Sequence, residues 1–225
     1  MADIMIKVDR VSKSFGDERV LKEVFLELEH GKVYGIIGNN GSGKTVLFKC
    51  VCGFMKPDQG EITVENKRIG IDTDFPENIG IIIETPGFLP HNTGFRNLQI
   101  LASLKGLINK EDIVRVLEKV GLNPRMKKPV GKYSLGMRQR LGIAQAIMED
   151  PKVLILDEPF NGLDKYGVED IRKIIIDLKN QGKTILLASH NQEDIKILCD
   201  LVYEMDAGVL KEVTGNAKKE YQDAV

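Results

Sequence analysis

Gly38-Asn39-Asn40-Gly41-Ser42-Gly43-Lys44-Thr45 follows the apolar run Lys32–Ile37 and opens a helical pattern, Val46–Cys52, closed by Gly53. Strand, glycine loop and helix in that order make a phosphate cradle. Consecutive backbone N–H groups turn inward onto the anion, and a side chain at Gly41 or Gly43 would block its approach. The loop ends at a helix N-terminus, whose partial positive charge adds to the grip. Lys44 then reaches the outer phosphates, and Thr45 places its hydroxyl on magnesium. A chance glycine turn has no reason to sit between a strand and a helix.

Downstream, the strand Val153–Leu156 runs into Asp157-Glu158. Open α/β sheets bind ligands at the carboxyl ends of their strands. Carboxylates placed there are costly without a partner, and Mg²⁺ supplies one. Asp157 is expected to hold the ion through water, and Glu158 to orient or deprotonate an attacking water. The plainer alternative is that the pair caps the next segment. His190 follows the strand Thr184–Ala188 at the same edge, where a γ-phosphate contact is expected. His30 and His91 lack such a setting and read as structural.

Further outward, Ile4–Val11 and Val20–Glu29 read as strands around a turn at Gly16-Asp17. Gly60–Val64 and Ile79–Ile83 are strand-sized as well. From Gly94 to Glu149 the pattern is helical, broken at Gly106, at Gly121-Leu122-Asn123-Pro124 and at Pro129. Ile113, Val116, Leu117 and Val120 fall at helical spacing with charges between them. A helix over Val168–Leu178 separates the last two apolar strands. An antiparallel pair, Leu201–Met205 and Val209–Val213, precedes a polar tail. Strands alternating with helices imply an α/β fold whose mainly parallel sheet is covered on both faces.

The 225 residues suffice for one core, or for one core with an inserted subdomain. With 32 basic and 33 acidic side chains, no whole-chain field favours nucleic acid or anionic lipid. Cys50, Cys52 and Cys199 suit a reducing compartment, and residues i and i+2 of a helix do not face each other. Cys50 and Cys52 therefore read as small buried hydrophobes and not as a zinc site. The segment Met1–Lys7 lacks signal-peptide character, and no apolar run is long enough for a membrane span. A soluble, cytoplasmic chain is expected.

Tyr133-Ser134-Leu135-Gly136-Met137-Arg138-Gln139-Arg140 lies between the two phosphate-site elements. Ser134 is a good N-cap for a helix over Leu135–Met148, and capping alone would explain it. Gly136 in the first turn is harder to explain, since glycine there costs about 1 kcal/mol against alanine. It allows an anion to approach the helix start. A second anion site in a fold that already has a phosphate loop suggests a second nucleotide, held by another copy of the protein.

In this order, the phosphate loop, residues 133–137, the Asp157-Glu158 strand, Asn161-Gly162-Leu163-Asp164 and His190 resemble the ATP-binding cassette (ABC) ATPases. The resemblance spans almost the whole chain. It implies one cassette over residues 1–225: a P-loop NTPase core with a mainly parallel sheet, an N-terminal antiparallel β part and a helical subdomain inserted over about 85–150. It assigns ATP to Gly38, Asn39, Asn40, Gly41, Ser42, Gly43, Lys44, Thr45 and Val46, with Phe15 stacking on adenine and Val20 completing that contact. Lys44, Glu158 and His190 become catalytic, and Thr45, Asp157 and Glu84 face Mg²⁺. Ser134, Gly136 and Asp164 contact the ATP of a second cassette packed head to tail, in a homodimer.

Two departures from the family pattern stand out. The common signature Leu-Ser-Gly-Gly-Gln is here Tyr133-Ser134-Leu135-Gly136-Met137, and the usual Q-loop glutamine is Glu84. A carboxylate at 84 binds magnesium more strongly than an amide, and it also repels a γ-phosphate. Both departures are similar to those of the ATPases of bacitracin and lantibiotic export or self-immunity systems. The resemblance thus implies an ATPase that drives peptide-antibiotic export through an integral-membrane permease, held on the inner face of the membrane, with no nucleic-acid partner. Residues 85–100 are the candidate docking groove, or else an ordinary loop packed on the helices. The competing readings are a soluble ABC ATPase acting on nucleic acid or ribosomes, and an ATP-sensing module with little hydrolysis.

Overall fold

The computed structural model describes residues 3–84 and 87–213. The polar tail beyond Val213, together with Thr85 and Pro86, lies outside them. The chain opens with a long antiparallel hairpin, β1 (Ile4–Phe15) and β2 (Glu18–Glu29). The strand β3 (Val33–Ile37) leads through the glycine loop into α1 (Lys44–Val51). Then β4 (Gln59–Val64) returns to pair with β1, and a two-residue β5 (Lys67–Arg68) completes a four-stranded sheet in the order β2-β1-β4-β5.

The second sheet adds β6 (Ile79–Ile82), β7 (Val153–Asp157), β8 (Thr184–Ala188), β9 (Leu201–Asp206) and β10 (Val209–Glu212) to β3. Its order is β10-β9-β3-β8-β7-β6, parallel throughout except for the β9–β10 pair. Every residue of β3, β7 and β8 is buried. Strands covered on both faces carry continuous apolar runs, which is why these three are legible in the sequence without alternation.

One face of the parallel sheet carries α1, clamped against the antiparallel sheet. Leu47, Phe48 and Val51 pack there with Val8, Leu28 and Ile62 on one side and Ile36, Ile155 and Leu186 on the other. The opposite face carries α2 (Gly94–Lys105), α3 (Lys110–Lys119), α4 (Leu135–Ile147), α5 (Lys165–Asn180) and α6 (Gln192–Leu198). Ile113, Val116, Leu117 and Val120 are all buried, as the spacing predicts. An Asn109–Asp112 capping box starts α3. The side chains of α2, α3 and α4 share one continuous core with Val33, Leu154 and Ile185 of the sheet.

Several bounds differ from the sequence expectation. The first strand of the hairpin runs on to Phe15, past the expected end at Val11. Ser12 is buried there because its hydroxyl accepts from Arg19 Nη2 at 2.9 Å and from the Glu23 N–H at 3.0 Å. α1 begins at Lys44, two residues earlier than the apolar pattern. β6 ends at Ile82, one residue earlier. Neither β5 nor α6 is foreseen, being two and seven residues long, too short for a periodic signal. Cys50 and Cys52 are buried, and burial pushes their thiols up to about 11 and about 12, so both stay protonated and unreactive.

Candidate nucleotide site

The carboxyl ends of β3, β7 and β8 lie side by side, and the residues that follow each strand converge on one edge. The loop after β3 supplies Gly38–Gly43. Gly38 has φ +144°, a conformation confined to glycine, and its Cα sits against the Met205 carbonyl of β9. The turn after β9 secures the loop further, since the Gly208 N–H donates to Ser42 O at 3.0 Å. Sequence reasoning missed this buttress. It joins residues more than 160 positions apart, and nothing local signals it.

Lys44 is buried and its Nζ donates to the loop's own carbonyls, Gly38 O at 2.7 Å and Asn39 O at 3.0 Å. Burial lowers its pKa, while Glu158 and Asp157 pull it back up. The Ser42 hydroxyl is buried with no hydrogen-bond partner among the described residues. A buried hydroxyl without a partner is costly, and a phosphate oxygen is the acceptor this loop is shaped for. Thr45 donates its hydroxyl to Asp157 Oδ2 at 2.7 Å, bridging the helix after the loop and the end of β7. These two hard oxygen donors at the mouth of the loop fit a magnesium ion.

Desolvation raises the Asp157 carboxyl above its ordinary value, against the Thr45 hydrogen bond and Lys44, which lower it. A carboxylate whose pKa is raised by folding stabilises the fold below its ordinary pKa, and that contribution is lost as pH rises through the raised value. At neutral pH the charged Asp157 therefore costs stability. Asp157→Asn keeps an acceptor for Thr45 and removes the charge. Without nucleotide, its unfolding free energy at pH 7 should equal or exceed that of the unaltered protein by up to about 1 kcal/mol. The gain should shrink towards pH 4 in urea titrations, and a clear loss at pH 7 would contradict this account.

Glu158, next along, adopts φ +50°, a strained conformation for a residue with a side chain. Its N–H donates to Ala188 O at 3.0 Å and its carbonyl accepts from Gln139 Nε2 at 3.2 Å. Its carboxylate lies 2.8 Å from His190 Nδ1. The His190 loop is itself fixed. Ser189 Oγ donates to the buried Asp194, which also binds Arg172 of α5 at 2.6 Å and 2.8 Å. Gln139 is a further site residue that sequence reasoning passed over. A buried glutamine in line with Ile143 and Ala146 on the apolar face of α4 was the available signal.

Between the loop and α4 lies a cleft of about 670 Å³, a size suited to a nucleotide. Asn40, Gly41, Gly43, Lys44, Thr45 and Val46 line it from one side. Val20, Glu84, Asp157, Glu158, Leu135 and Arg138 complete much of the remainder. Gly38 and Asn39 face a second cavity of about 360 Å³ beside His190. Phe15 is half exposed beyond the cleft, with Lys13 Nζ 5.8 Å from its ring centroid. Glu84 is exposed, with its carboxylate 2.6 Å from Lys49 Nζ.

The residues expected to face a second nucleotide have intrachain work. Ser134 accepts from the Met137 N–H at 3.2 Å and caps α4, and Asp164 accepts from the Gly167 N–H at 2.8 Å and caps α5. A Cβ on Gly136 would lie 2.8 Å from Gly162 O, so packing of α4 on the 161–164 loop already requires glycine there. Glycine at 136 thus has a packing reason of its own, whether or not an anion approaches the helix start. Ser134 and Leu135 remain exposed at the surface. In the segment 85–100, Asn97 binds both backbone groups of Leu89, and the Gly131 N–H donates to Pro90 O at 2.8 Å. Those bonds describe a loop packed on the helices.

A phosphate loop, a Thr–Asp pair and Glu158 around one cleft, with His190 against Glu158 at its side, define a nucleoside-triphosphate site at a sheet edge. The ABC transporter family profile matches residues 21–161, and the chain belongs to that family, as an ATP-binding subunit. It is 41% identical over 207 residues to an uncharacterised ABC transporter ATP-binding protein, YybJ of Bacillus subtilis, covering 92% of this chain and 95% of that one. Identity to the bacitracin transport ATP-binding protein BcrA of Enterococcus faecalis is 40%, over 93% of this chain and 69% of that one. For the lantibiotic transport ATP-binding protein SrtF of Streptococcus pyogenes the values are 36%, 96% and 94%. The bacitracin and lantibiotic subgroup is thus where the sequence places it.

Among solved structures, an ATP-binding subunit of an ABC transporter superposes with a TM-score of 0.85 at 26% identity, covering 97% of this chain and 93% of that one. A dimeric bacterial ABC transporter cassette superposes at 0.84 with 23% identity, over 94% and 100%, a likeness of fold. Among the described residues, no helix is long and apolar enough to cross a membrane.

Proposed function

We propose that this chain hydrolyses ATP to drive export of a peptide antibiotic through a separate integral-membrane permease, bound to it on the cytoplasmic face. The observation that carries the reaction is the pairing of Glu158 with His190 at 2.8 Å, next to the Thr45–Asp157 pair at the end of β7. The loop N–H groups and Lys44 bind the phosphates, and Thr45 and Asp157 would hold Mg²⁺, which when bound would supply neutralising charge to the triphosphate. Glu158 accepts the proton of the attacking water, and its strained, doubly hydrogen-bonded backbone fixes where that carboxylate points. His190 orients Glu158 through Nδ1 and stands with it at the edge where the γ-phosphate would lie.

Ser134, Gly136 and Asp164 stand at the surface that a second copy would cover, and ATP sandwiched between the copies joins them. Loss of the γ-phosphate removes contacts that hold the pair together, and the halves part. The helical segment over 85–150, acting as a subdomain, carries that motion to the permease. The names of the bacitracin and lantibiotic relatives support the substrate class, which no residue of this cleft reads.

The test is genetic and biochemical. Deleting the gene should raise sensitivity to bacitracin or a lantibiotic, and the tagged protein should co-purify with a multi-span membrane protein encoded beside it. Unchanged sensitivity across such peptides would remove the substrate class. ATP turnover that responds to RNA, with no membrane protein co-purifying, would replace the transport reading altogether.

A further inference from the structure

Glu84 brings a third carboxylate to a cleft that Asp157 and Glu158 already line, where a triphosphate must enter. Like charges so placed weaken anion binding unless something offsets them. Lys49 is positioned to do so, with Nζ 2.6 Å from Glu84 Oε1. It lies four residues after Thr45 on α1, so both side chains project from one helix face. Thr45 from that face fixes Asp157 at 2.7 Å, and Lys49, one turn on, fixes Glu84. A single helix that begins at the phosphate loop thus holds both acidic groups.

Two further features separate this pair from an ordinary surface bridge. Glu84 has φ +59°, so its backbone adopts a strained turn at the end of β6 that aims the side chain back towards α1. The pair also stands at the cleft itself: Glu84 lines it, and Lys49 lies one helical turn beyond Thr45, which lines it too. The Glu84 side chain is 64% exposed and that of Lys49 29%. Exposed pairs of this kind contribute little to folding stability. The effect of this one falls on the charge of the cleft.

We infer that Lys49 is a positioning residue for Glu84, holding its carboxylate at the metal-facing edge of the cleft and offsetting its charge so that ATP binds beside a glutamate. The inference rests on the nucleotide reading of the cleft and deepens it. Lys49 touches neither substrate nor reacting atoms in this role. What it changes is how strongly an unneutralised triphosphate is repelled.

The experiment is ATP titration of the full chain in EDTA, followed by calorimetry or by a fluorescent ATP analogue, at low and high salt. Lys49→Met should weaken binding about three- to tenfold at low salt, and the loss should shrink at high salt. Lys49→Arg should bind as the unaltered protein does. Adding Glu84→Gln to Lys49→Met should restore affinity to within about twofold, which a purely structural role for Lys49 would not produce. Unchanged binding by Lys49→Met, or failure of the double variant to recover, would overturn the inference while leaving the nucleotide site standing. Failure of the unaltered protein to bind ATP would sink both.

Discussion

Glu158→Gln should lower ATP turnover at least about 100-fold while ATP still binds with near-normal affinity. Glutamine keeps the length of the side chain and can still meet His190 Nδ1, which stands 2.8 Å from the carboxylate. It cannot take a proton. The backbone of residue 158 is fixed independently of the side chain, by its N–H to Ala188 O and by Gln139 Nε2 to its carbonyl. The substitution therefore removes basicity with little change of geometry, and removal of a positioned general base costs about 10²- to 10⁴-fold. Phosphate release measures turnover, and ATP-dependent dimer formation by size exclusion measures the step before it. The dimer should accumulate in ATP, because the γ-phosphate is no longer lost. Turnover within threefold of the unaltered protein would remove Glu158 from the reaction.

Gly38→Ala should act on both stability and binding. An added methyl would overlap the Met205 carbonyl oxygen of β9 and lie 3.0 Å from Ser42 Oγ, at a φ of +144° that side chains do not adopt. The Met205 carbonyl does not yield easily, for β9 is paired to β3 as far as Glu204 and to β10 at Met205 itself. Steric overlap with backbone and a forbidden φ together should cost about 3 kcal/mol of folding stability. The phosphate loop must also shift, so ATP affinity should fall at least about tenfold, read by the same titration under conditions where the variant is folded. Gly41→Ala is the contrast. Its added Cβ meets nothing within 4 Å, so with φ +80° it carries conformational strain alone and should lose less stability. Equal losses at both positions would show that the β9 buttress contributes nothing.

The electrostatics of the cleft follow the same logic of groups held against their preference. Lys44 is pushed down by burial and Asp157 is pushed up by it, and each lies close enough to the other to counter the shift. Such an arrangement costs stability in the free protein and is relieved when charged ligand groups arrive. Asp157→Asn and Lys49→Met examine the two halves of that trade separately, one through stability without nucleotide and one through binding without metal.

Much of the fold is written in short-range pattern. Continuous apolar runs mark β3, β7 and β8, because strands covered on both faces tolerate little else. Helical spacing marks α3, and the glycine loop marks the turn between β3 and α1. The carboxyl-end rule then places Gly38, Asp157 and His190 on one edge before any coordinate is known. The short α6 escaped because seven residues give too little periodicity, and the end of the β1–β2 hairpin beyond Val11 escaped because Ser12 has its partners on the other strand. Gln139 was in view as part of a motif, yet its bond to the Glu158 carbonyl depends on how α4 lies against the end of β7.

By itself the sequence determined the family, the parallel sheet and the identity of the phosphate, Asp–Glu and histidine elements, because each is a local pattern of residue types. Only the tertiary structure decided what those residues touch. It set Glu158 against His190 and Lys49 against Glu84. It also made Gly136 a matter of packing against Gly162, and braced the phosphate loop with a hairpin from the far end of the chain. Those contacts join segments that strand order brings together, and no spacing along the chain encodes the distance between two strand ends.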